Sequence, residues 1–574
     1  MTLSKSESKN ATSLYVTKSV RVNGVPTTKV VEKLGTVAEL EKKLGGRDPI
    51  EWAEEYVKEL TRLDKEEQRE VIIKYSPVKL LKKDQQRLYF GGYLFLQKIY
   101  HELGINKICA KIAKSHKFDF DLDSILSRLI YGRIIFPASK LATYELSKKF
   151  IEQPNFEIHH IYRALEVLGE ETDFIQAELY KNSTKVISRN TGVLYYDCTN
   201  YFFEIEQDEG LKQYGYSKEH KPNPIVQMGL FMDGGGLPLA FCIHNGNTNE
   251  QTTLKPLEQK ILTEFELSKF VVCTDAGLSS AANRKYNDVG GRAFVTTQSV
   301  KKLKKHLKDW ALSPGGWRLP DDKKIYRITD IEESEHREST FYKEQWINED
   351  GLEQKLVVTY SIKYRDYQRT IRDGQVARAE KLIRTNPKKL KKGHQNDYKR
   401  FISKLSYTDT GEVAEKEHYS IDAGAIIAEE IYDGFYAVCT NLEDSPTTII
   451  KINHRRWEIE ECFRIMKSEF KARPVYLKRD ERITAHFTTC FISLLIYRIL
   501  EKKLEDKYTC SNIIKELRGM SFLEVPSEGF IPAYTRNDFT DSLHDAFGFR
   551  TDYQILPISK MKKIFKETKS AKTL

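Results

Sequence analysis

The sequence predicts an α/β protein, in which an α/β core is interrupted by an insertion and preceded by a mostly helical region. Three observations predict it. Short β-rich runs cluster between residues 191 and 299 with a helical pattern among them. A lysine- and tryptophan-bearing stretch, 300–440, then separates these runs from a last strand and two strong helical patterns. Before residue 190 the patterns are helical, apart from one hairpin near the N-terminus.

The hairpin is read from "TSLYVTKSVRVNGVPTTKVVEKLG" (12–35), which alternates and carries Asn23-Gly24 between two runs. Residues 36–75 are rich in Glu, Lys and Leu at helical spacing, and 80–190 hold several helical patterns. Pro137 followed by "ASKLATYELSKKF" marks one helix start, and "FEIHHIYRALEVLGEE" is another helix. Consecutive helices here fit a helix-turn-helix DNA reader or a plain helical bundle, and the pattern alone leans to the bundle.

Strands then follow: "TGVLYYDCTNYFFEI" (191–205), "IVQMGLFMD" (225–233), "LPLAFCIHNG" (237–246), "KFVVCTDAG" (269–277) and "RAFVTTQS" (292–299). Gly234-Gly235-Gly236 joins the second to the third as a hairpin, and "EQTTLKPLEQKILTEFEL" (250–267) is helical. Three strands, a helix, a strand, a helix and a strand is the order of a ribonuclease-H-like domain. The interrupting 300–440 holds one lysine knot at Lys301, Lys302, Lys304, Lys305 and Lys308 and another at Lys388, Lys389, Lys391 and Lys392. It also holds Trp310, Trp317, Trp346 and a strand-like "QKLVVTYSI" (354–362). Regular structure resumes at "FYAVCTN" (435–441), and helical patterns cover 446–471 and 480–505. The tail from 508 is mixed and its end, "KMKKIFKETKSAK", reads as loose. The expected division is 1–75 hairpin and helices, 76–190 helical region, 191–299 with 441–505 ribonuclease-H-like domain, 300–440 insertion, and 506–574 C-terminal region.

Bulk properties bound the function. At 574 residues the chain is too long for one hydrophobic core. With 40% hydrophobic and 30% charged residues it has a soluble, globular balance. A net charge of +10 fits a polyanionic partner without requiring one, and either lysine knot alone reads as a solvated face. The eight cysteines form no CxxC pair, and most sit in apolar runs such as "FVVCTDAG". They read as small buried hydrophobes, which disfavours zinc and suits a reducing cytoplasm. "MTLSKSESKNATS" has no apolar signal core. The longest apolar stretch, Phe487 to Tyr497, is broken by Thr488, Thr489 and Ser493 and falls short of the roughly twenty residues a membrane span needs, so it reads as a buried helix.

Asp197 follows "VLYY" and Asp275 follows "FVVCT", so each falls at the C-terminal end of an expected core strand. Ligand-binding groups collect there in open α/β sheets, although either Asp alone also suits a turn or helix cap. The third acid decides between these. Plotted as one helix at about 100° per residue from Arg456, Glu460 falls near 40°, Lys467 near 20°, Asn453 near 60° and Arg464 near 80°. Ile452, Ile459, Phe463, Met466 and Phe470 fall at roughly 280–340° on the same plot. One acid among cations beside a buried stripe suits a metal-binding carboxylate with phosphate-holding neighbours.

These residues resemble the DDE transposases of bacterial insertion sequences, in the group marked Y-x2-R-x3-E-x6-K. Arg456, Glu460 and Lys467 match its last three positions, Trp457 and Ile459 fit its "RW-x-IE" wording, and Asn453 stands where the family has Tyr. "DCT" (197–199) and "DAGLSS" (275–280) resemble its two Asp motifs, "GLPLAFCIHNGNTNE" (236–250) the segment between, and "DGFYAVCTN" through "RITAHFTTCFISLLIYRILEKKL" one subgroup. The resemblance covers about 190–505 well and the N-terminal part more loosely.

It implies that Asp197, Asp275 and Glu460 are catalytic and bind two Mg²⁺ or Mn²⁺ ions, one activating water or a DNA 3′-hydroxyl and the other stabilising the leaving oxygen. It implies a ribonuclease-H-like catalytic domain interrupted by a β-rich insertion, and DNA contacts at Arg456, Lys467, Arg464 and Asn453. It further implies double-stranded DNA with terminal inverted repeats, a target DNA, a homodimer in the DNA complex, cut-and-paste chemistry, and a cytoplasmic, nucleoid-associated bacterial protein without a membrane. The region 76–190 is then expected to read the DNA ends, and the insertion tryptophans either stack on distorted DNA or pack. A ribonuclease-H-like nuclease that cuts without joining, an inactive transposase-derived DNA-binding protein, and a structural helical protein are the alternatives.

Overall fold

The computed structural model describes residues 1–8, 11–22, 25–67, 70–73, 76–320, 322–385, 397–406 and 417–571. The expected Asn23-Gly24 turn and the second lysine knot lie outside them. Along the chain the elements are β1 (Thr2–Ser8), β2 (Ala11–Val22), β3 (Val25–Thr36), α1 (Val37–Leu44), α2 (Pro49–Glu67), β4 (Leu88–Phe90), α3 (Tyr93–Glu102), α4 (Ile105–Ser115), α5 (Leu122–Ile135), α6 (Lys140–Ser147), α7 (Ile158–Glu170) and α8 (Thr172–Val186). Then come β5 (Val193–Phe202), β6 (Ile225–Asp233), β7 (Pro238–Asn245), α9 (Leu254–Glu264), β8 (Val271–Thr274), α10 (Ala281–Tyr286), β9 (Ala293–Gln298), α11 (Lys305–Leu312), α12 (Glu333–His336), β10 (Thr340–Glu349), β11 (Leu352–Ser361) and α13 (Ile362–Thr385). The remainder is β12 (Ile402–Ser406), β13 (Glu417–Ile421), α14 (Ala423–Glu430), β14 (Phe435–Thr440), α15 (Pro446–His454), α16 (Trp457–Arg464), α17 (Asp480–Lys503), α18 (Cys510–Gly519), β15 (Ser521–Val525), β16 (Gly529–Pro532), α19 (Asp538–Phe547), β17 (Leu556–Pro557) and α20 (Ile558–Thr568).

Two compact units emerge, one of Met1–Asn106, Ser127–Asn155 and Leu500–Leu574, the other of Lys107–Leu126 and Phe156–Ile499. In the first, β1-β2-β3 form an antiparallel sheet over a small core of Leu14, Leu40 and Ala53. Thr36 starts α1 through a capping box with Glu39. Strand β1 carries too polar a run, "TLSKSES", to announce itself. A second sheet has the order β17-β16-β15-β4. The tail expected to be loose is instead α20, because Met561, Ile564 and Thr568 recur at helical spacing and are buried, and Thr568 donates to Gln97 at 2.8 Å.

The second unit is built on an eight-stranded mixed sheet, β10-β11-β14-β9-β8-β5-β6-β7. Strands β5, β8 and β9 run parallel, and the other neighbours are antiparallel. Gly236, at φ +84, turns β6 into β7. Strands from the expected insertion, β10 and β11, extend this sheet through β14. Along β5, Leu194, Tyr196 and Cys198 pack with α9 residues Leu254, Leu257 and Ile261. The alternate residues face the other way. Tyr195 donates to Ile452 of α15 at 2.9 Å, and the Tyr201 ring lies 4.9 Å from Phe487 of α17. This two-residue period is the strand's own geometry. Helix α17 is long and apolar enough to cross a bilayer, but 94% of its apolar window is buried, with Phe491 5.0 Å from Phe241 and Tyr497 6.1 Å from Phe470. Seven cysteines are buried and Cys242 is half-buried.

The insertion tryptophans divide. Trp317 is fully buried, among Phe341, Leu356 and Tyr360, Trp310 packs against the same cluster, and Trp346 is 46% exposed. Stacking on DNA is therefore ruled out for Trp317 by its burial. Trp317→Ala is expected to cost about 3–5 kcal/mol of stability. Trp346→Ala should leave the urea midpoint near wild type. An unchanged midpoint for Trp317→Ala would disprove its core role.

Candidate active site

Asp197 lies in the middle of β5, which runs on to Phe202 and does not end at the acid as expected, whereas Asp275 stands just past the end of β8. The parallel ladder pairs Tyr195 with Cys273, and two residues further along each strand stand Asp197 and Asp275, on the same face. The Asp275 carboxylate is 38% exposed, and its Oδ1 accepts from Leu278 N at 3.0 Å, fixing the turn after the strand. The third acid reaches this face from α16, with Glu460 60% exposed. Arg456 lies between two of the three, 3.9 Å from Asp275 Oδ2 and 3.6 Å from Glu460 Oε1.

Burial pushes the Asp197 carboxyl up to about 7; Lys218 and Arg456 act against this and Asp275 with it. Cys198 N donates to Asp197 Oδ1 at 2.8 Å. Hard oxygen donors from the middle of β5, the end of β8 and a helix are a donor set for Mg²⁺ or Mn²⁺, and a buried acid that resists ionising alone is one a divalent cation would stabilise. The residues thus fit such ions. Their ligand atoms do not all come within 4.8 Å of one another; among the described residues the group that does is Asp541, His544 and Asp552. In that group Arg536 donates to Asp541 at 2.9 Å and Arg550 to Asp552 at 2.7 Å, so guanidiniums already supply the compensating charge.

The expected DNA-facing residues separate. The single helix over 446–471 is in fact two helices and a wider turn. Ser445 and Pro446 start α15 as cap and first residue. Arg456, Glu458 and Ile459 then donate to Asn453, Arg455 and Arg456, three residues back, and residues 465–469 form a π turn. Three-residue bonds wind the chain by about 120° per residue and π turns by less than 100°, so a uniform plot misdirects what lies across them. Asn453 is accordingly buried, 8% exposed, with Nδ2 donating to Tyr436 at 2.9 Å, and not on an open face as the plot placed it. Lys467 turns to Thr199, donating to Oγ1 at 2.6 Å, and lies 3.3 Å from Glu219; burial pulls its ammonium down to about 8, with Lys218 adding to the shift. Arg464 is 54% exposed and pairs with Glu461 at 3.2 Å.

Sequence reasoning missed Lys218, whose Nζ donates to Cys198 O at 2.6 Å and pairs with Glu250 at 2.9 Å, and Glu219, which also contacts Arg473. Both lie in "YSKEHKP", whose mixed charges look like any loop. Tyr436 was likewise unmarked within "FYAVCTN".

The family model "Transposase DDE domain" matches residues 202–496, and "IS1634 family transposase, N-terminal domain" matches residues 2–71. A search among curated proteins returns no match. Among solved structures, the piggyBac transposase synaptic complex with hairpin DNA is similar at 9% identity and a TM-score of 0.34, covering 76% of this chain and 82% of that one, a likeness too low to carry any argument. With the DDE model spanning more than half of its length, the chain belongs to the DDE transposases, as an insertion-sequence enzyme that cleaves and joins DNA.

Proposed function

We propose that Asp197, Asp275 and Glu460 form the cleavage and strand-transfer centre, holding two Mg²⁺ or Mn²⁺ ions. The observation that carries this is the shared register of Asp197 and Asp275 on adjacent parallel strands, with Arg456 linking Asp275 to Glu460. When bound, the ions supply Lewis-acid activation of the attacking oxygen and charge stabilisation at the leaving oxygen. The chain's part is to fix the donors. The body of β5 and the end of β8 hold the two aspartates rigidly, and Glu460 projects from the first turn of α16. With the carboxylates' charge balanced by bound ions, Arg456 would be free to contact phosphate, with Lys467 adding a point charge and Arg464 reaching flanking backbone. Asn453, buried and donating to Tyr436, holds its neighbour in place and does not itself contact phosphate in this reading.

The order β7-β6-β5-β8-β9, with the first three strands antiparallel and the last three parallel, supports a ribonuclease-H-like domain from 191–299 and 441–505. The residues 300–440 are its insertion, 76–190 read the transposon ends, and 1–75 and 506–574 are accessory. The enzyme acts as a homodimer on terminal inverted repeats in the bacterial cytoplasm. The test is a strand-transfer assay of the full chain on the element's ends with Mg²⁺, Mn²⁺ or chelator, beside binding of the same ends and of random duplex across a salt series. Joined product with either metal and none with chelator is expected. Cleavage without joining would make the protein a nuclease, and equal affinity for both DNAs would remove end recognition.

A further inference from the structure

The structure brings a tyrosine to Asn453 from another element. Asn453 Nδ2 donates to the Tyr436 oxygen at 2.9 Å, Thr297 donates to Asn453 Oδ1 at 3.3 Å, and the Tyr436 and Thr297 oxygens lie 2.7 Å apart. Either hydroxyl can donate in the last bond; when the Thr297 proton goes to Asn453, it is the Tyr436 proton that is used. In that arrangement the ring runs Asn453 to Tyr436 to Thr297 and back, one member each from α15, β14 and β9. It sits beside the acids. β8 and β9 pair Thr274 with Thr296, and the next position on each strand is Asp275 and Thr297. Arg456 N also donates to Asn453 O at 3.2 Å. Tyr436 is half-buried and, with Arg456, Trp457 and Glu460, lines a cavity of about 580 Å³.

We propose that Tyr436 donates a hydrogen bond to a DNA phosphate oxygen next to the scissile bond, with Asn453 and Thr297 as its positioning residues. The inference rests on the reading of Asp197, Asp275 and Glu460 as the cleavage centre. Of the three ring members, Tyr436 can release its proton at the least cost to the others. If it turns to a phosphate oxygen, Thr297 keeps its bond to Asn453. Asn453 still donates to the phenol oxygen, which polarises the O–H and strengthens it as a donor. Arg456 on the same wall supplies the charge that draws a phosphate there.

The test uses Tyr436→Phe in the full chain, which removes the hydroxyl and keeps the ring. Cleavage of labelled ends is measured with native phosphates and with single methylphosphonates placed one at a time around the scissile bond. Loss of a hydrogen bond to a charged group predicts cleavage about 10- to 100-fold slower on native DNA. One methylphosphonate should slow the wild type and add no further penalty to Tyr436→Phe, since both remove the same contact. Wild-type cleavage by Tyr436→Phe, or an equal penalty on every substrate, would overturn the proposal. Glu460→Ala distinguishes the two readings: if it still cleaves, the centre itself is wrong, whereas a dead Glu460→Ala beside an active Tyr436→Phe sinks only this inference.

Discussion

Alanine at Asp197, Asp275 or Glu460 is expected to slow end cleavage by about 10³-fold or more, the scale of several kcal/mol of transition-state stabilisation. DNA-end binding should persist, because the acids contribute no attraction to phosphate. The fold should persist as well. Asp275 and Glu460 are 38% and 60% exposed, and neither anchors a core. Asp197 is an acid whose charged form burial disfavours, so alanine there removes a desolvation cost. The loss will therefore appear in single-turnover cleavage and not in the urea midpoint. A variant cutting near the wild-type rate would strike its residue from the centre.

Arg456→Ala is expected to slow cleavage by about 10²-fold, the effect of removing one charge-assisted phosphate contact. Arg456→Lys should recover little, because a point charge cannot make the bidentate phosphate contact of a planar fork. A second signature separates this role from a purely structural one. Without metal, Arg456 is the cation between Asp275 and Glu460. Arg456→Ala should therefore lose more thermal stability in chelator than in Mg²⁺. Equal losses in both conditions would show that Arg456 does not share the carboxylates' charge.

The strands that carry the aspartates were legible because an apolar run leads into each acid, and because β5 to β9 are local in sequence; that β5 continues past Asp197 to Phe202 was not legible. Glu460 was legible through "RWEIE". The orientation of its neighbours was not. Sequence shows no trace of the three-residue bonds at Arg456–Ile459 or the π turn after Arg464, and these turn Asn453 inward and Lys467 onto Thr199. The pairing of β14 with β9, and of β10 and β11 with β14, is non-local and depends on packing that a periodicity cannot express. Long α13 was missed for the opposite reason: Ile362, Arg372 and Ala379 are its buried residues, too few for an apolar stripe.

The alternation along β5 fixes which mutations the gene can absorb there. Most substitutions between Val193 and Phe202 alter one contact. An inserted or deleted codon upstream of Asp197 in the strand does something else, because it moves every later side chain to the opposite face. Asp197 would enter the greasy layer beside α9, and Tyr196 or Cys198 would stand at the place of the proposed metal-binding acid. The spacing of this strand is therefore expected to be under the same constraint as the acid itself, and an in-frame triplet gained or lost there is expected to behave as a null allele that leaves all three carboxylates in the reading frame.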